Sequence, residues 1–198
     1  MNSAKRLFNK SYSEASVDEI SRCAGVGNDV FYHYFASKQA VLEALVQELI
    51  ANMAEYSRSI AETPGIGAIE KICIIVSGQQ TIQAGEYAIL EAMHRPENRA
   101  LNDGSNIQTV KIFGQILVSV IEQGNQEGIF QVDDPLGVAQ FILAGSQLLL
   151  GQDGFHWTPQ ERMALNRMML TLIERAFGAN PGSFSPVLGK SLAMNLAS

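Results

Sequence analysis

Residues 16–38 read SVDEISRCAGVGNDVFYHYFASK. Ser16 and Glu19 stand three apart as an S-x-x-E capping box, which predicts a helix from Val17. Val17 and Ile20 fall on its inward face, and the small Ser21 lets a second helix cross close by. Gly25 sits where that helix must stop, in a left-handed conformation that glycine reaches most cheaply. Val26 reads as the apolar plug of the turn, and Gly27 or Asn28 as the cap of the next helix. Phe31 with Tyr34 or Phe35 supplies the buried side of that helix; Asn28, Asp29, Tyr32 and His33 fall on the other side. Ser37 caps a third, longer helix, and Lys38 sits at its positive end. A lysine beside free backbone N–H groups is a natural grip for phosphate. Two short helices joined through a glycine corner, then a longer one, make a helix-turn-helix, whose second helix can lie in the DNA major groove.

The run resembles the DNA-binding domain of the TetR (tetracycline-repressor-type) family of transcriptional regulators. The resemblance is carried by Leu7-Phe8, Tyr12, Ser16-Val17, Ile20, Ala24-Gly25-Val26, Phe31-Tyr32, Tyr34-Phe35, Ser37-Lys38 and Val41-Leu42. It implies an all-α fold: a three-helix helix-turn-helix DNA-binding domain over 1–45 and a helical effector-binding and dimerisation domain over 46–178; the tail over 179–198, rich in Gly, Pro and Ser, is read as flexible. It further implies a one-component regulator, a repressor rather than an enzyme. Such a protein binds palindromic operator DNA as a homodimer and is released by a small-molecule effector. The alternative is a DNA-binding protein of the same fold with no such effector, controlled by protein partners. Asn28, Asp29 and His33 are then expected to face bases, and Tyr32, Ser37 and Lys38 to hold phosphates. Three departures stand out. The first helix is short, about residues 2–10, so either the domain is abbreviated or the natural start lies elsewhere. Asp29 replaces a glycine frequent in the family, and Ser11 replaces the glycine that usually precedes the aromatic at Tyr12.

Composition points to a folded chain: of 198 residues, 46% are hydrophobic and 17% charged. The net charge of −6 is unevenly spread, because residues 1–40 carry five basic and four acidic side chains and the rest carry nine and sixteen. With no strongly basic patch, affinity per protomer should be low and salt-sensitive, so a twin is needed. Cys23 and Cys73 form no metal pattern and read as buried thiols. His33, His94 and His156 are far apart, so neither a metal set nor a cofactor is expected. No Ser-His-Asp set, carboxylate pair, phosphate loop or Cys/His cluster suggests an enzyme. The opening residues are too polar for a signal peptide, and residues 136–150 are too short for a membrane span, so the cytoplasm is expected.

Helical periodicity continues downstream. One long helix is expected over 37–61, with Val41, Leu42, Leu45, Leu49, Met53 and Tyr56 on one stripe. Helices over 66–78 and 83–95 follow, then a loop to Gly104 and a helix over 105–127 ended by Gly128. Asp134-Pro135 starts a helix to Leu150, apolar on nearly every side and so expected to be buried on more than one face. Residues 151–154 read as a loop, and Thr158 to Glu161 as a second capping box opening a helix to Gly178. These last two helices are expected to form a four-helix bundle with a second copy. Residues 188–196 are read as a short helix against a partner. By the resemblance, the effector site lies in the middle helices, with Met53, Tyr56, Tyr87, Leu90, Met93, His94, Phe113, Leu117, Phe141 and Trp157 as candidate lining.

Overall fold

A computed structural model describes residues 2–8, 10–150 and 155–185. Among these described residues the fold is all-α, with nine α-helices and no strand. They are α1 (Asn2–Phe8), α2 (Val17–Ala24), α3 (Asn28–Tyr34), α4 (Lys38–Ala61), α5 (Ala68–Gly85), α6 (Tyr87–Met93), α7 (Arg99–Gln126), α8 (Pro135–Leu150) and α9 (Pro159–Phe177). A 3-10 turn, Pro96–Asn98, leads into α7. The chain divides into two compact units: Met1–Met53 with Thr81–Ser105, and Ala54–Gln80 with Asn106–Ser198.

In the first unit α1 packs on α2 and α6, and α2 on α3. The capping box opens α2 as expected: Glu19 N–H donates to Ser16 Oγ at 3.2 Å, and Ser16 N–H to Glu19 Oε2 at 3.0 Å. Gly25, at φ 71°, closes it. Its N–H donates to the Arg22 carbonyl and that of Val26 to the Ser21 carbonyl, which satisfies two orphan acceptors of the last turn. Val26 is exposed, so it closes the corner through its backbone and not as an apolar plug. Ser21 is buried beneath the crossing. On α3 the inward ring is Phe31, joined by the half-buried Phe35 at 5.9 Å, whereas Tyr34 is 72% exposed. Val41, Leu42, Leu45, Leu49 and Met53 are buried along α4.

The second unit is built around Ile72, Cys73, Ile75, Val120, Ile121, Phe130, Phe177 and Phe184. Burial, helped by the charge of Glu70, pushes the Cys73 thiol up to about 11, so it is an inert packing group at neutral pH; Cys23 is only half-buried. The buried Lys71 ammonium donates to the Ala61 carbonyl at 2.6 Å and caps the end of α4. Gly128, at φ 71°, ends α7. Trp157 Nε1 and Arg162 Nη1 donate to the carbonyls of Leu149 and Leu150, closing α8, and Thr158 with Glu161 opens α9 through its own capping box.

Four expectations change. Helix α5 runs past Gly78 to Gly85, because the Tyr56 ring occupies the place a side chain at 78 would take. Helix α7 begins at Arg99 rather than 105, because the Pro96 turn feeds it directly and the buried Asn98 amide ties that corner to the Ala92 carbonyl at 2.8 Å. Helix α8 buries only Ala139 outright, and Phe141 is 82% exposed. The tail is anchored at its start: Phe184 is fully buried against Phe130 and Phe177, and its N–H donates to the buried Glu174. The loop read over 151–154 and the short helix read over 188–196 lie outside the described residues.

Candidate nucleic-acid interface

The corner at Gly25 and the cap at Gly27 leave residues 24–30 exposed, as are Tyr32, His33 and Tyr34. Helix α3 therefore buries Phe31 and turns Asn28, Asp29, Tyr32 and His33 outward. Asp29 folds its carboxylate back over Gly27, where any Cβ would meet it. The carboxylate so lies at the positive end of α3, where a negative charge is favoured. The Asn28 amide donates to Asp18 Oδ1 in the first turn of α2, a bond that fixes its orientation and that a base would have to share or displace.

Ser37 accepts the Ala40 N–H at 3.2 Å and so caps α4. Lys38 is half-buried, its Nζ 2.8 Å from the Tyr12 carbonyl oxygen, 3.4 Å from that of Ser13, and 4.5 Å from the centre of the Tyr12 ring. An ammonium has three donors, so these two bonds hold the charge in place and leave one N–H for an anion. Tyr12 itself is buried, with Phe8 edge-on at 4.9 Å. Burial is the main cause that lifts its phenol above the ordinary tyrosine value; Asn98 and Arg95 beside it oppose the shift, and Glu97 adds to it. Arg95 also reaches this corner: it donates through Nη1 to Ser13 Oγ and through Nη2 to Glu91 Oε1 at 3.2 Å.

Two further residues belong with this surface. Tyr34, one of the most exposed aromatics, stands beside His33 at 5.0 Å. The Arg22 side chain is 78% exposed on the last turn of α2. The FYHYF run signals the first only if Phe35, not Tyr34, is taken as the inward ring.

The expected effector residues are not gathered in one unit. Met53, Tyr87, Leu90, Met93 and His94 belong to the first, and Tyr56, Phe113, Leu117, Phe141 and Trp157 to the second. Tyr87 and Phe141 are exposed, and the Trp157 indole is spent on the end of α8. Within the second unit a groove of about 480 Å³ runs between Arg58 and Ala61 of α4, with Glu62 just beyond it, and Lys111, Ile112 and Ile116 of α7; none of the ten lines it. Among the described residues no group of three or more His, Cys, Asp or Glu side chains clusters as metal ligands, and no helix is long and apolar enough to cross a membrane.

Residues 1–45 match the family model described as bacterial regulatory proteins, tetR family, and residues 82–173 match the tetracyclin repressor-like C-terminal domain. The chain is 46% identical over 48 residues to the HTH-type transcriptional regulator EthR of Mycolicibacterium smegmatis, covering 24% of this chain and 22% of that one. It is 40% identical over 74 residues to the transposon Tn10 TetC protein of Escherichia coli, covering 36% and 38%. These matches thus span only about a fifth to two fifths of the curated relatives. Among solved structures, the fatty acid degradation regulator FadR from Bacillus halodurans aligns over 90% of this chain and 94% of its own, with TM-score 0.59 and 21% identity. FadR from Bacillus subtilis, in complex with stearoyl-CoA, aligns over 88% and 96%, with TM-score 0.54 and 20% identity.

Proposed function

We propose that this chain, which belongs to the TetR family of bacterial transcriptional regulators, acts in the cytoplasm as a repressor that binds palindromic operator DNA as a homodimer. A small-molecule effector held by the helical domain releases it. The observation that carries this reading is the outward face of α3, set by the Gly25 corner that ends α2. In the bound state the two copies of α3 lie about 34–36 Å apart, one turn of B-DNA, or a multiple of that. Helix α4 is the lever, since it starts beside Lys38 and continues into the second unit. An effector shifts the balance only by its difference in affinity for the two states.

Base reading falls to Asn28, Asp29 and His33, and phosphate holding to Tyr32, Ser37 and Lys38. Tyr34 and Arg22 join them by exposure. Selection of bound fragments from a genomic DNA pool tests the reading. Recovery of a palindromic duplex is expected, and Asn28→Ala should then change the preferred base at one position at a cost of ~1–3 kcal/mol. Recovery of no enriched sequence, or an Asn28→Ala variant with unchanged preference, contradicts it.

A further inference from the structure

Lys38 is the phosphate grip in the proposed reading, yet the groups that hold it come from outside its own helix. Its ammonium rests on the carbonyls of Tyr12 and Ser13 and over the Tyr12 ring. Those two residues lie in the segment between α1 and α2. That segment is gripped in turn by Arg95, just beyond α6: one arm of the guanidinium donates to Ser13 Oγ, the other to Glu91 on α6, and its centre lies 5.9 Å from the Tyr12 ring. At that distance the ring contact is at the limit of cation–π attraction, so the grip is chiefly the two-armed one on Ser13 and Glu91. A planar fork with fixed donors holds such a pair better than a flexible ammonium does. At the other end of α6, Glu86 accepts from Lys5 of α1 at 2.5 Å. All of these groups lie in one compact unit.

We propose that Arg95, although it lies outside the helix-turn-helix, is a positioning residue for DNA binding: it fixes Ser13 and Tyr12, which seat the Lys38 ammonium with one N–H left for a phosphate. The proposal rests on the DNA-binding reading above. Arg95 does not touch DNA; it makes phosphate binding by Lys38 depend on where α6 stands.

The test is a cycle of variants on the palindromic duplex recovered by selection, with affinity measured across a range of salt concentrations. Lys38→Ala should weaken binding and flatten the salt slope by about one charge. Arg95→Ala should do the same, and the double variant should have the slope and affinity of Lys38→Ala alone. Ser13→Ala, a small change at an exposed position, should reproduce Arg95→Ala without a fall in thermal midpoint. Additive losses would mean that Arg95 contacts DNA itself and would overturn the proposal. So would an Arg95→Ala or Ser13→Ala slope equal to wild type. A wild-type protein that binds no duplex would instead remove the DNA-binding reading on which the proposal stands.

Discussion

Gly25 holds φ at 71° between α2 and α3, with nothing near the place a Cβ would occupy. Its substitution is therefore a backbone question and not a packing one. Gly25→Ala is expected to cost about 1–2 kcal/mol, the penalty of a left-handed residue with a side chain, and urea unfolding measures it; an unchanged midpoint would contradict the assignment. The capping carboxylates are the other residue-scale feature. Backbone N–H and hydroxyl bonds from Ser16 hold Glu19 below the usual carboxylate range, and those from Thr158 do the same for Glu161. A carboxylate with a depressed folded value stabilises the fold above the unfolded value of about 4.3, and that contribution is lost as pH falls through the folded value. Glu19→Gln with Glu161→Gln should therefore flatten the dependence of the thermal midpoint on pH below about 4.3. A double variant with wild-type acid sensitivity would contradict this. Both boxes were readable from sequence because a cap is a local device, spelled by two residues three apart.

At the scale of elements, readability follows how local the signal is. The sequence α2–corner–α3 was recoverable because capping box, glycine and aromatic spacing lie within one short stretch. The full length of α5 was not: Gly78 looks like a helix end until the Tyr56 ring, distant in sequence, is seen lying against it. The start of α7 was hidden because the Asn98 bond to Ala92, which closes the corner, has no sequence signature. Helix α8 is instructive in another way. Its apolar run predicts burial on several faces, yet Phe141 and Leu148 are exposed on it, as are Met163, Met168 and Leu172 on α9, against which it packs. Burying a large apolar side chain fully is worth roughly 1.5–3 kcal/mol, so under the proposed homodimer these are the side chains a second copy would cover. Leu172→Asp should convert a dimer into monomers in sedimentation at micromolar concentration, with helicity unchanged. A wild-type chain that sediments as monomer would remove the dimer.

For the whole molecule, charge sets the terms. The net charge of −6 and the small excess of +1 in residues 1–40 leave no strongly basic surface, so the proposed DNA affinity rests on a few well-placed contacts and, in the proposed homodimer, on pairing. That Asn28, Asp29, Tyr32 and His33 face outward was legible because exposed side chains on a short amphipathic helix separate cleanly from buried ones. Sequence is a weaker guide to the effector-lining candidates, since a pocket wall and an ordinary core use the same apolar residues. Phe113 and Phe141 look alike in sequence, and one is buried while the other faces solvent. The most direct measurement is a hydroxyl-radical footprint of the protein on its selected duplex, with the number of bound chains determined alongside. Two equivalent protected half-sites are expected on one face of the duplex, their centres about 34–36 Å apart or a multiple of that, with two chains per duplex and both half-sites lost on Tyr32→Ala. A single unsymmetrical patch, one chain per site, or protection indifferent to Tyr32 would contradict outward-facing recognition helices paired by symmetry.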